Sequence, residues 1–169
     1  LKPRKTRFDR YVEILLTEGE PTAASLLTDK EKLGAKLFID VQRTQCMQCH
    51  NGPLFSNGGF HNIGTGNFTG EHLDFGRELG LNAVLIDPFN CLGDYSDAKA
   101  DDCHALRFLS KDAHAPLKGA FKTPSLRGIK HTSPYFHDGS QASLKDVMDH
   151  YRNASASPDH ELRASLDCN

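Results

Sequence analysis

Apolar positions 8, 11, 12, 15 and 16 recur at the three-and-four spacing of one helical face, so Phe8–Leu16 is predicted to form an amphipathic helix. Gly19-Glu20-Pro21 ends it. A second helix is announced by Thr28 with Glu31 three residues later, a capping box. Leu33, Leu37 and Phe38 give it an apolar face that runs to about Ile39. The pattern then breaks. From Asn51 to Gly80 glycine, asparagine, phenylalanine and histidine alternate without a period, which predicts a long loop, usually a functional one in a compact domain. His104 to Leu109 has room for a short helix. Two prolines and two glycines between Phe121 and Gly139 predict a structured, extended segment. Ser143 with Asp146 starts a last helix, in which Leu144, Val147, Met148 and Tyr151 share one face while His150 points away from it. Together these elements predict an all-α domain with long irregular loops.

At 169 residues the chain is long enough for one well-buried core, so 1–169 is read as a single domain. A formal net charge of -2 argues against nucleic acid as a partner. No apolar run approaches membrane-spanning length, so no membrane span is expected. Leu1-Lys2-Pro3-Arg4 has no apolar stretch behind its charges, so no signal peptide is read, and the absence of an initial methionine suggests a processed or excised piece.

The sharpest chemical signal is Cys46-Met47-Gln48-Cys49-His50. C-x-x-C-H reads as a c-type haem attachment site: two thiols form thioethers to the haem vinyl groups, and the histidine is the proximal iron ligand. The alternatives for the cysteines are a thioredoxin-like redox pair, which lacks the βαβ pattern around it, and half of a zinc site, which lacks a second ligand pair at tight spacing. Covalent haem attachment is an extracytoplasmic process, so a periplasmic location is expected. A haem also gives the long loop a purpose, since a flat apolar cofactor can replace part of a core, with Phe55 and Phe60 as wall residues or as ordinary core. His61 and His72 read as hydrogen-bonding or surface residues rather than ligands. Met148 and Tyr151 stand one turn apart and either could coordinate iron; the alternative is plain core for both. Cys91 and Cys103 flank a polar loop, and the expected disulfide contributes about 3 kcal/mol in the chain-entropy model, against two free buried thiols. Cys168 is the odd cysteine, unpaired or paired with chain outside this sequence.

C-x-x-C-H-N-G-P, F-H-N-I-G, F-K-T-P-S-L-R and S-P-Y-F-H-D-G, in that order, resemble the bacterial dihaem cytochrome c peroxidase and MauG family from about Arg7 to Tyr151. The resemblance implies a cytochrome c-like helical domain with haem-wrapping loops, like the second, C-terminal haem domain of the family, carrying one covalent haem c. It implies His50 as proximal ligand and Cys46 and Cys49 as anchors. The family's distal ligand is a methionine, or in MauG-like members a tyrosine, on the helix after P-Y-F-H; ungapped counting from Pro134 reaches Tyr151, with Met148 one turn early as the alternative. The resemblance further implies a calcium ion on the backbone carbonyls of Thr132 and Pro134, and haem-propionate or interhaem contacts from Arg127 and His137.

A phenolate ligand lowers the iron potential and suits storage of oxidising equivalents, whereas Met/His ligation raises it and suits electron relay. In the family the peroxide-cleaving site, with its glutamate and bridging tryptophan, belongs to the other domain, and this chain has no tryptophan. The function expected is therefore the haem domain of a dihaem peroxidase or MauG-like oxidoreductase. It would work with a second haem domain or chain and a small redox protein as donor or acceptor. The alternatives are a free-standing monohaem electron carrier without catalysis, and a small peroxidase with an open iron position.

Overall fold

The computed structural model describes residues 5–19, 26–66, 71–107, 109 and 117–153. Cys168 lies outside the described residues, as does the basic leader up to Arg4. Among the described residues the order is α1 (Arg7–Thr17), α2 (Asp29–Ile39), α3 (Cys46–Cys49), β1 (Phe60–Asn62), α4 (Arg77–Ile86), α5 (His104–Arg107), β2 (Ala120–Lys122) and α6 (Leu144–Asn153). The fold is mainly helical, as expected, with one very small sheet added.

Both N-termini of the first two long helices are closed by reciprocal caps. Thr28 and Glu31 form the expected box, and Thr6 and Asp9 form a second one at α1. Each satisfies two backbone donors that the helix itself leaves unpaired. Tyr11 of α1 packs with Leu27, flanked by Phe8, Val12, Ile14 and Leu26; Phe8, Tyr11 and Val12 are on the face the periodicity marked, Ile14 is not, and Leu15 of that face is exposed. Leu16, on the same sequence pattern, is instead 80% exposed. Arg7 pairs with Glu31, linking α1 to α2.

The loop expected to continue to Gly80 stops earlier, because α4 begins at Arg77. Gly80 sits inside that helix with open space where a Cβ would be, so it is not there to make a turn. A glycine that the backbone does require is Gly76, the N-cap of α4. Its φ is +60°, and an added Cβ would lie 2.5 Å from the carbonyl oxygen of Ala120. That close approach belongs to a bridge between Gly76 and Ala120, which is fully buried. Leu81 of α4 is buried as well.

β1 and β2 pair antiparallel, with Phe60 opposite Lys122, His61 opposite Phe121 and Asn62 opposite Ala120. The Thr123 N–H continues the ladder to the Gly59 carbonyl at 2.8 Å. Cys91 and Cys103 form the expected disulfide, and Cys103 is buried. The short helix expected at His104 to Leu109 is α5. No helix among the described residues is long and apolar enough to cross a membrane.

Candidate functional site

The Cys46–His50 motif is delivered by a tight turn. Asp40 ends α2, its carbonyl accepts from Arg43 and Thr44, and Gln45 takes a left-handed conformation (φ +50°) that starts α3. On that single turn Cys46 and Cys49 are three residues apart and therefore face the same side. Both are half-buried, and neither is in a disulfide. His50 caps the turn. Its Nδ1 donates to the Phe55 carbonyl at 2.9 Å, which fixes the tautomer that leaves the lone pair on Nε2.

The acceptor carbonyl is itself held. The Phe55 N–H donates to the Gly52 carbonyl, Ser56 to Asn51 and Asn57 to Cys49, at 2.8–3.0 Å. The F-K-T-P-S-L-R segment clamps the same loop from outside. Ser56 Oγ donates to the Thr123 carbonyl at 2.8 Å, Ser125 Oγ to Leu54 at 2.7 Å, and Arg127 Nε to Pro53. The Arg127 guanidinium also forks onto Asp9 of α1 with two bonds of 2.8 Å and lies 5.3 Å from the centre of the Phe55 ring. Arg127, together with Thr6, holds the Asp9 carboxyl well below the usual carboxylate range. Phe55 is a junction, with edge contacts to Phe8 of α1 (5.8 Å) and Phe38 of α2 (6.2 Å). Phe60 instead lies under the Arg77 guanidinium at 4.4 Å. His61 accepts from Asn57 Nδ2 at 3.1 Å.

On α6 the Ser143–Asp146 box forms as expected. The two sequence candidates for distal ligand separate clearly. Met148 is 62% exposed. Tyr151 is partly buried, and desolvation pushes its phenol up to about 12, with the Cys49 and Cys46 thiols adding to the shift. His150, off the apolar stripe, is not a surface residue: Nε2 donates to the Ile63 carbonyl at 2.7 Å, and its ring meets Phe136 edge-on at 4.9 Å. His137 stacks on Phe121 at 3.5 Å and donates to Asp74 at 2.8 Å.

The donor set suits a covalent haem c. Two thiols face one side of a turn, a histidine has its Nδ1 occupied by a carbonyl, and α6 carries a partly buried phenol. Among the described residues no group of three or more His, Cys, Asp or Glu is placed to hold a metal ion. Thr132, one of the two residues named for calcium, donates its hydroxyl to the Ile129 carbonyl at 3.0 Å, which does not bear on its backbone carbonyl or that of Pro134 as ligands. Sequence reading missed Asp9, the Phe55 carbonyl and the role of His150. Of these only Asp9, three residues after Thr6, carried a local signal.

No family model matches the chain. The chain is 33% identical over 149 residues to cytochrome-c peroxidase IdrP2 of Denitromonas iodatirespirans, covering 83% of this chain and 38% of that protein. It is 28% identical over 146 residues to the methylamine utilization protein MauG of Methylophilus methylotrophus, covering 86% of this chain and 31% of that one. In fold it is similar to the crystal structure of a MauG-like protein associated with microbial copper homeostasis, with a TM-score of 0.53 and 22% identity over 95% of this chain and 40% of that one. The chain thus spans less than half the length of each.

Proposed function

The chain belongs to the dihaem cytochrome c peroxidase and MauG family, and from that membership we propose that it is a covalent c-type haem domain of a peroxidase-type oxidoreductase. Cys46 and Cys49 are the thioether anchors, His50 is the proximal ligand through Nε2, and Tyr151 is the distal ligand. Arg127 and His137 supply polar contacts near the haem edge. The domain exchanges electrons or oxidising equivalents with a peroxide-reactive haem on a second domain or chain. A small redox protein serves as donor or acceptor, in an extracytoplasmic compartment.

When bound, the haem supplies a one-electron iron couple whose potential follows its axial ligands, lowered by a phenolate and raised by a thioether. The chain's own residues do the rest. The Phe55 carbonyl holds His50 in one tautomer and one ring orientation. Arg127, Ser125 and Ser56 keep that carbonyl in place by fixing the loop. The observation that carries Tyr151 over Met148 is the contrast between a partly buried phenol and a thioether 62% exposed.

The test is a pyridine haemochrome for haem count and an EPR and optical spectrum of the ferric protein, repeated for Tyr151→Phe and Met148→Leu. One haem per chain, a low-spin signal without a Met–iron band, and loss of that signal only in Tyr151→Phe are expected. A Met–iron band abolished by Met148→Leu would move the ligand to Met148 and the role to electron relay. A high-spin wild type with rapid peroxide turnover would overturn both and make the chain a small peroxidase.

A further inference from the structure

Adjacent residues on a helix point about 100° apart, so a residue beside a ligand can set the ligand's direction by fixing the helix's rotation. His150 stands in that relation to Tyr151. Its Nε2–H donates to the Ile63 carbonyl at 2.7 Å, a bond across 87 residues of chain. The carbonyl is not a loose acceptor. On one side of it Asn62, buried, pairs in the sheet opposite Ala120 and donates from Nδ2 to the Lys118 carbonyl at 2.9 Å. On the other side the Gly64 N–H donates back to Asn62 Oδ1 at 2.9 Å, closing the turn around Ile63. The imidazole is braced a second time by Phe136, edge-on at 4.9 Å, and meets the Tyr151 ring edge-on at 5.8 Å.

We infer that His150 is a positioning residue: its bond to the Ile63 carbonyl fixes the rotation of α6 and so the direction in which the Tyr151 phenol points. This rests on the ligand role proposed for Tyr151. The lever is short. Side-chain atoms lie roughly 5–6 Å from a helix axis, so a 10° rotation moves one by about 1 Å. A displacement of that size is enough to weaken a coordination bond or a catalytic geometry. Local α6 structure does not supply the restraint, since the capping box at Ser143 sets where the helix starts and not how its far end is turned.

The experiment uses the haem-loaded protein and compares wild type with His150→Ala, His150→Gln and Tyr151→Phe. The readouts are the ferric EPR spectrum and the haem midpoint potential, with far-UV circular dichroism as a check on folding. Gln places an amide N–H at about the reach of imidazole Nε2. The inference predicts that His150→Ala loses much of the low-spin signal and shifts the potential in the same direction as Tyr151→Phe, while His150→Gln restores both. If Tyr151→Phe alters the spectrum but His150→Ala does not, the positioning role is overturned and the ligand stands. If His150→Gln behaves as Ala does in a folded protein, or fails to fold alongside it, the hydrogen bond is not the device and the inference is also overturned. An unchanged Tyr151→Phe spectrum removes the ligand itself, and the positioning role with it.

Discussion

Arg127 gathers three parts of the chain that are distant in sequence, and its removal has a calculable consequence. The guanidinium makes two bonds of 2.8 Å to Asp9, and Nε donates to the Pro53 carbonyl. Hydrogen bonds to charged groups contribute about 1.5–3 kcal/mol each. The pair's side chains are only 17% and 23% exposed, so screening reduces this without erasing it. Arg127→Met keeps the stem over Phe55 but leaves Asp9 and the Pro53 carbonyl without the cation, for an expected cost of about 2–4 kcal/mol. With a urea slope of about 2 kcal/mol per M, the unfolding midpoint should fall by about 1–2 M.

A double-mutant cycle with Asp9→Asn separates the pair from the rest, because Asn can still cap α1 beside Thr6. The coupling should be about 1.5–3 kcal/mol at neutral pH. It should also have a definite pH dependence. The Asp9 carboxyl is depressed in the folded protein, chiefly by its bonds to Arg127. Its contribution is therefore full above the unfolded value near 3.9 and is lost as pH falls through the folded value. The gap between wild type and Arg127→Met should narrow only below about pH 4. A coupling under about 0.5 kcal/mol, the scatter of non-interacting sites, would refute the clamp.

Three further outcomes follow from the same structure. Gly76→Ala forces a Cβ to 2.5 Å from the Ala120 oxygen at a φ of +60°, and thermal melts should show a loss of about 1–3 kcal/mol, whereas Gly80→Ala, with open space around it, should hold or raise stability. Cys91→Ser with Cys103→Ser opens a 12-residue separation and should cost about 3 kcal/mol in urea unfolding, matched by reduction of the wild type. Thr28→Ala removes the cap of α2 and should cost about 1 kcal/mol by the same measurement.

The elements legible in the sequence were those whose cause is local. The boxes at Thr28 and Ser143 are set by residues three apart, and C-x-x-C-H needs only one helical turn to bring its thiols together. The apolar stripe of α1 is a property of eleven residues. α4 was hidden because Gly76 and Gly80 read alike as loop residues, although only the first occupies a backbone that demands glycine. β1 and β2 have three residues each, too few for an alternating pattern, and their pairing joins Phe60 to Lys122 across the long loop. The bonds that orient His150 and His50 could not be read either. Each histidine is fixed by a backbone carbonyl, and a carbonyl leaves no trace in the residue type that carries it.

The small sheet offers a way to hold the two proposed ligands, from distant parts of the chain, in one register. On the proximal side, the loop that orients His50 is bonded to Thr123, Ser125 and Arg127, the residues into which β2 runs. On the distal side, His150 is bonded to Ile63, the residue into which β1 runs. β1 and β2 are hydrogen-bonded to each other, and Ala120 at their junction is fully buried against Gly76. The relative placement of His50 and Tyr151 therefore passes through six strand residues that carry no candidate ligand. A short sheet is weak as a source of stability but stiff as a spacer, because its backbone bonds fix register in steps of whole residues. With few large side chains buried among the described residues, that fixed register would give the proposed ligand pair a definite separation that side-chain packing alone supplies poorly.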